Sequence, residues 1–78
     1  MIRAVLLDEA PLSTPLQLVS TSDDANVRRR LQSQGLRCGA IFSVVRRTAG
    51  GGLVVAVAGA RVALGQRLTR ALRVEVRA

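Results

Sequence analysis

Few side chains in this sequence could carry out chemistry. The chain has no His, Tyr or Trp, and all 12 of its cationic residues are Arg, so it has no Lys either. Enzymes rely mainly on His, Lys, Tyr, Cys and carboxylates for proton transfer and nucleophilic attack. Here those groups reduce to five scattered carboxylates and the thiol of Cys38, without the spacing of metal ligands. The sequence therefore predicts no catalytic residue, no metal site and no cofactor, and the protein is not expected to be an enzyme.

Arginine is the most abundant charged residue in the sequence. The formal net charge is +7, and the cations include the runs Arg28-Arg29-Arg30 and Arg46-Arg47. Such an excess favours acidic partners, namely nucleic acid, anionic lipid or an acidic protein surface. The frequent Arg, Ala, Val and Gly are equally what a GC-rich genome gives a small protein. The charge alone does not identify the partner.

The run Gly50-Gly51-Gly52 could suggest a loop that holds phosphate. A phosphate-binding loop leads into a helix and carries a Lys followed by Ser or Thr, and neither feature is present here. The run lies between two segments with strand patterns. It therefore predicts a flexible hairpin loop.

A short helix is predicted to position the first arginine run. Ser22 or Asp23 is expected to cap its first turn, and Gly35 suits the residue that follows its last turn. Val27 and Leu31 lie one turn apart and form the buried stripe. The neighbouring Arg28 and Arg30 then flank this stripe and Arg29 points away from it, so the three arginines do not form one patch.

The rest of the chain is mainly β-patterned. In the strand from residue 40 to 47, Phe42 and Val44 are the expected inward pair, with Arg46 on the same face. Ile41 and Val45 are apolar residues of the opposite face and leave the alternative orientation open. In the last strand, Leu72, Val74 and Val76 are expected to point inward. Residues 1–15, with two prolines, are expected to form a lead-in segment with turns, and residues 65–70 a 3₁₀ turn. The five predicted strands cover residues 16–20, 40–47, 53–58, 60–64 and 72–77.

The order and spacing of these elements resemble a known family. The residues that carry the likeness are Arg30-Leu31-x-x-x-Gly35-Leu36-x-x-Gly39, Val44-Val45-Arg46, and Val62-x-Leu64 with Val74 ten residues later. Over Leu16 to Val76 this pattern resembles the FeoA domain of bacterial ferrous iron transport protein A. The resemblance implies a mainly β fold, a five-stranded SH3-like barrel with one α-helix after the first strand and a 3₁₀ turn before the last. Residues 1–15 would lead into this domain, and residues 16–78 would form it.

The resemblance also implies a function. FeoA proteins work with FeoB, an inner-membrane ferrous iron transporter that carries a cytosolic GTP-binding domain. The expected protein is a cytoplasmic regulatory accessory that acts by protein–protein binding and that its partner brings to the inner face of the membrane. No membrane insertion and no specific nucleic acid are expected, while weak self-association is left open. The start at Met1 and the lack of a DNA-reading helix-turn-helix favour a standalone protein.

Under this resemblance, a cationic rim is expected to meet an acidic surface of the transporter. Two departures from the family pattern lie near this rim. Cys38-Gly39 replaces a usual Pro-Gly turn, and the glycine run replaces a Gly-x-Pro loop. The expected partner-binding residues are Arg28, Arg29, Arg37, Arg46, Arg47, Gly50, Gly51 and Gly52. The expected structural residues are Val27, Leu31, Gly35, Leu36, Gly39, Phe42, Val44, Val62, Leu64 and Val74.

Nucleic-acid binding is the alternative function, because small basic barrels often bind RNA or DNA. Such barrels stack bases on exposed aromatic side chains. The single aromatic residue here is Phe42, which is expected to be buried. The alternative is therefore non-specific binding through contacts between arginine and phosphate, with a strong dependence on salt.

Overall fold

Residues 4–77 are described by the computed structural model and form one antiparallel sheet with two α-helices. The strands follow the order β1-β6-β2-β3-β4-β5 across the sheet. Residues 1–3 of the expected lead-in segment, and residue 78, lie outside the described residues. The strands are β1 (Ala4–Leu6), β2 (Leu16–Ser20), β3 (Ile41–Arg47), β4 (Leu53–Val57), β5 (Ala60–Leu64) and β6 (Arg73–Val76). The helices are α1 (Ala25–Ser33) and α2 (Gln66–Ala71), with 3₁₀ turns at Leu7–Glu9 and Ala49–Gly51.

The predicted mainly β class with a helix after Leu16–Ser20 is confirmed, but the strand count is six rather than five. The additional strand is β1, which pairs with β6 so that Val5 lies opposite Val74. The predicted pairing of Leu16–Ser20 with the last strand is present as β2 against β6. Among residues 4–77 no strand pair joins β1 to β5, so these two strands form the ends of the sheet and the barrel is not fully closed.

The segment before β2 belongs to the packed structure rather than preceding it. Leu7 and Ala10 are completely buried, and the Leu7 amide donates to the carbonyl oxygen of Leu72 at 2.9 Å. The two prolines exclude a regular helix in this stretch. They do not exclude a three-residue strand that obtains its hydrogen bonds from the far end of the chain.

The N-cap of helix α1 lies one residue after Asp23, the later of the two positions predicted for it. The carboxylate of Asp24 accepts from the amides of Asn26 and Val27 at 2.9 and 3.4 Å, so Asp24 is the N-cap. At the other end, Gly35 has a φ of +95°, a value that favours glycine. The amide of Leu36 then donates to the carbonyl of Leu31 at 2.9 Å, which closes the helix with a Schellman motif.

Helix α2 replaces the predicted 3₁₀ turn. The amides of Thr69 and Leu72 donate to the carbonyl oxygens four residues earlier, both at 3.1 Å, which is α-helical bonding. A six-residue helix is unstable alone and depends on tertiary packing. Here it packs on the 3₁₀ turn Leu7–Glu9, where Arg70 lies 3.9 Å from the Asp8 carboxylate. The short length of the segment predicted the wrong helix type because these contacts come from distant residues.

A β-bulge at Val45 changes which side chains of β3 face the core. Val44 pairs with Val55, but the next pairs are Arg46 with Val54 and Arg47 with Leu53. Opposed residues share a face of the sheet, and Leu53 is fully buried, so Arg47 lies on the core side and Arg46 on the outer side. The prediction that Arg46 shares the face of Phe42 and Val44 is therefore wrong, because the extra residue inverts the alternation.

The core is aliphatic apart from Phe42, in agreement with the composition. Val76 is an exception to the predicted inward set of β6, because it is 45% exposed while Leu72 and Val74 are fully buried. Val76 is the last residue of its strand, where little packs over it. Val27 is half-buried against the core. The other apolar residues expected to be structural are all buried, namely Leu31, Leu36, Phe42, Val44, Val62, Leu64 and Val74.

Candidate binding surface

The arginines expected to form one cationic rim are distributed over α1, the turn before β3 and the end of β3. Arg37 belongs to the turn before β3, whereas Arg46 and Arg47 are the last two residues of β3. At about 3.3 Å per residue, the seven residues of β3 separate these positions by roughly 20 Å. Arg28 and Arg29 are exposed on α1, and the Arg28 guanidinium donates to the Ser22 carbonyl oxygen at 3.4 Å.

Arg47 has a structural role in the folded chain. Its Nη1 donates to the carbonyl oxygen of Asp8 at 2.8 Å, and its Nη2 donates to that of Ala10 at 3.0 Å. These bonds connect the end of β3 to the segment that follows β1. They satisfy two backbone acceptors that no strand pairs. Arg46 and Arg47 are both exposed, but among residues 4–77 no side-chain hydrogen bond is described for Arg46.

The glycine loop is attached to α2 instead of extending freely. The amide of Thr48 donates to the carbonyl of Gly52 at 2.9 Å. The hydroxyl of Thr69 lies 2.9 Å from the carbonyl oxygen of Gln66 and 3.3 Å from that of Gly51, and these two acceptors share its one proton. A Cβ added to Gly52 would lie 2.7 Å from the carbonyl oxygen of Leu64. The loop is thus closely packed around Gly51 and Gly52, and only Gly50 has open space where its side chain would be.

A cleft that the sequence did not reveal lies between α1, the end of β5 and α2. Its volume is ≈ 450 Å³. Its floor is aliphatic, and two guanidinium groups stand beside it, one from each helix. The lining residues are Val27, Arg30, Leu31, Gln34, Ala63, Leu64, Arg67 and Leu68.

Local structure explains why this cleft forms. Helix α1 packs the stripe of Val27 and Leu31 against the core, and its end lies on the turn after β4, where a Cβ at Gly35 would be 3.2 Å from that of Ala58. Helix α2 begins two residues after β5 and is held by Thr69, which is fully buried. The two helices therefore border the end of β5 from two sides.

The charged side chains within the three elements that border the cleft are all positive. None of the three elements that border the cleft contains an Asp or Glu. The ion pairs described between residues 4 and 77 involve Arg70 and Arg77, not the two arginines of the cleft. The cleft thus combines an apolar floor with unneutralised positive charge. The arginines of these elements are Arg28, Arg29 and Arg30 on α1, Arg61 on β5, and Arg67 and Arg70 on α2.

The sequence held one partial signal for this site. Arg30 was predicted to flank the buried stripe, and it does line the cleft. Arg67 and Leu68 belong to the segment for which the sequence predicts a 3₁₀ turn. That prediction assigns neither residue to an exposed face. Only the fold brings residues 27–34 and 63–68 together.

In the described part of the chain, no group of three or more His, Cys, Asp or Glu side chains could hold a metal ion. Cys38 is exposed in the turn before β3. Among residues 4–77, no helix combines the length and the apolar character that crossing a bilayer requires.

Comparison with known proteins identifies the fold and the family. The family model of the FeoA domain matches residues 5–76. A crystal structure of an iron uptake regulatory protein (FeoA) is 28% identical, with a TM-score of 0.84, and the match covers 96% of this chain and 100% of that one. The solution structure of a FeoA protein from Chlorobium tepidum is 25% identical, with a TM-score of 0.85, over 95% of this chain and 71% of that one.

The same fold occurs in larger proteins. A manganese-dependent transcriptional repressor is 24% identical, with a TM-score of 0.84, and the match covers 99% of this chain but only 44% of that protein. This likeness shows the fold alone. No curated protein sequence matches the chain. The family match extends over nearly all the described residues and agrees with the resemblance found in the sequence, so the chain belongs to the FeoA family, which is linked to ferrous iron transport.

Proposed function

We propose that this protein is a cytoplasmic accessory of ferrous iron uptake that regulates a FeoB-type transporter by binding its cytosolic GTP-binding part. The observation that carries the proposal is the match to the FeoA domain over residues 5–76. Binding, rather than catalysis, is supported by the side chains available, because the chain has no His, Lys or Tyr. A partner would bring the protein to the inner face of the membrane.

The distribution of arginine supports an acidic partner surface. Arg28, Arg29 and Arg37 are exposed on α1 and in the turn that follows, and Arg46 is exposed at the end of β3. Charges of this kind accelerate the encounter of two proteins and fix their orientation more than they add to affinity. We assign them this steering role. Arg47 is left out of the proposed surface because its guanidinium is already bonded to two backbone carbonyls.

Non-specific binding to nucleic acid is the second candidate, favoured by the net charge of +7. Phe42, the only aromatic residue, is buried in the core and offers no surface on which bases could stack. Arginine contacts to phosphate would then supply all of the affinity. Such binding falls steeply as salt is raised.

Titration separates the two candidates. The protein is titrated with the isolated cytosolic domain of a cognate FeoB and, in parallel, with random duplex and single-stranded nucleic acid, each at two salt concentrations. Saturable binding to the transporter domain alone is the expected result. Strongly salt-dependent binding to nucleic acid alone would overturn the proposal. Reversing both charges with Arg28→Glu and Arg29→Glu is expected to slow association with the transporter domain without unfolding the protein.

A further inference from the structure

We propose that the cleft between α1, β5 and α2 is a docking site for an acidic, partly apolar segment of a partner protein, bound in an extended conformation along the edge of β5. This inference rests on the proposed function, since it takes the FeoB-type cytosolic domain as the partner. It adds the place and the chemistry of the contact. The steering arginines described above lie outside the cleft, so the two ideas make different predictions.

The size and the floor of the cleft suit a few aliphatic side chains. Ligand sites in proteins are mostly apolar and occupy about 300–1,000 Å³, and this cleft has ≈ 450 Å³. Val27 and Leu68 are half-buried and pack against the core, so part of their apolar surface remains open to the cleft. Covering such a surface with an apolar side chain removes it from water. The floor would therefore anchor the partner.

The charges beside the cleft select an acidic occupant. Arg30 lines it from α1 and Arg67 from α2, with the apolar floor between them. No carboxylate lies on α1, β5 or α2. A guanidinium next to an apolar surface forms its strongest contacts with carboxylates, which it can bind with two parallel hydrogen bonds. A segment with carboxylates on either side of an aliphatic residue matches this arrangement.

The free edge of the sheet at β5 can form hydrogen bonds with the backbone of the partner segment. β5 is an end strand, and within residues 4–77 no strand pairs with the side that faces away from β4. Ala63 and Leu64 of this strand line the cleft. An extended peptide can add to such an edge through main-chain hydrogen bonds and place alternate side chains into adjacent pockets. These three features favour a protein segment over nucleic acid, whose bases would find no aromatic side chain here.

A matched pair of substitutions on β5 tests the inference. Ala63→Glu places a carboxylate in the cleft, while Ala60→Glu places the same charge on the same strand outside it, and both positions are exposed. Both variants have the same net charge, so they share any general loss of steering. The dissociation constant for the cytosolic domain of a cognate FeoB is measured for each. We expect Ala63→Glu to weaken binding at least about tenfold and Ala60→Glu less than about twofold.

A second pair removes positive charge instead of adding negative charge, and it remains informative if Ala63→Glu does not fold. Arg67→Ala is compared with Arg73→Ala, an exposed arginine on β6 that does not line the cleft. Only the first is expected to weaken binding, by about fivefold or more. Thermal denaturation of every variant checks that the fold is retained.

The outcomes distinguish this inference from the proposed function. If the wild-type protein binds the domain and both members of each pair bind equally, the cleft is not the docking site, although the proposed function stands. If the wild-type protein does not bind the domain, the proposed function fails and this inference with it. If the cleft variants lose affinity for duplex DNA to the same extent, the effect is general electrostatics and the inference is overturned.

Discussion

Replacing Arg47 should destabilise the fold far more than replacing its neighbour Arg46. The guanidinium of Arg47 reaches the carbonyl oxygens of Asp8 and Ala10 at 2.8 and 3.0 Å. The bond to Ala10 is partly buried, and the bond to Asp8 is exposed. Hydrogen bonds to charged groups contribute about 1.5–3 kcal/mol each when shielded from water and less at the surface. We therefore expect Arg47→Ala to reduce the free energy of unfolding by about 2 kcal/mol.

The assay is thermal or urea denaturation followed by circular dichroism. For a domain of this size, a loss of about 2 kcal/mol lowers the melting temperature by roughly 8–16 °C. Arg46→Ala is the matched control, because Arg46 is exposed and no hydrogen bond of its side chain is described between residues 4 and 77. Its substitution should change the free energy of unfolding by less than about 0.5 kcal/mol. The two variants have the same net charge and differ by one position in the chain.

A third variant identifies the interaction involved. Arg47→Lys keeps the positive charge, but its donors all lie on one nitrogen, whereas the guanidinium reaches the two carbonyls with two separate nitrogens, Nη1 and Nη2. We expect it to lose about half as much stability as Arg47→Ala. Equal losses for Arg46→Ala and Arg47→Ala would refute the reasoning, since they would show that the two hydrogen bonds of Arg47 do not stabilise the fold.

Three further substitutions test other parts of the structure by the same denaturation assay. Asp24→Ala removes the cap of α1 and should cost about 1 kcal/mol, whereas Asp23→Ala should cost less than about 0.5 kcal/mol; the reverse order would place the cap at Asp23. Gly52→Ala forces a Cβ to within 2.7 Å of a backbone oxygen and should cost about 2 kcal/mol. Gly50→Ala meets only open space and should cost about 1 kcal/mol through its positive φ; equal stability of the two would contradict the close packing of Gly52. Thr69→Val keeps the buried shape but removes the hydroxyl that bonds to the carbonyls of Gln66 and Gly51, and should cost about 1 kcal/mol; an unchanged melting temperature would argue against a stabilising role of this hydroxyl.

Patterns that depend on neighbouring residues allowed much of the fold to be predicted from the sequence. The alternation of Leu16–Ser20 predicts β2 with the bounds that the structure has. The spacing of Val27, Leu31 and Gly35 predicts α1 and the way it ends, because a helical stripe and a left-handed cap are both local features. The same spacing carried the resemblance to the FeoA domain. Local periodicity was sufficient where each element satisfies its own hydrogen bonds or packs one regular face.

Apart from the pairing of β2 with β6, the features determined by contacts across the chain were not predicted. The strand Ala4–Leu6 is too short to show alternation and depends on β6 for its hydrogen bonds. The bulge at Val45 leaves no signature in a run of apolar and cationic residues, yet it reverses the positions of Arg46 and Arg47. Charge alone therefore did not reveal that Arg47, one of the five arginines expected to bind a partner, bonds to the backbone of a distant segment.

The glycine loop contacts α2, and α2 in turn forms one wall of the cleft. The loop was predicted to contact the partner directly, but Gly51 accepts a hydrogen bond from Thr69 and lies against the side chain of Gln66. Both residues belong to α2, the helix that places Arg67 and Leu68 in the cleft. Since α2 is too short to be stable alone, a change in the loop alters the support of the helix that forms one wall of the cleft. The departure of Gly50-Gly51-Gly52 from the family pattern would then affect partner binding through α2, and the loop need not touch the partner at all.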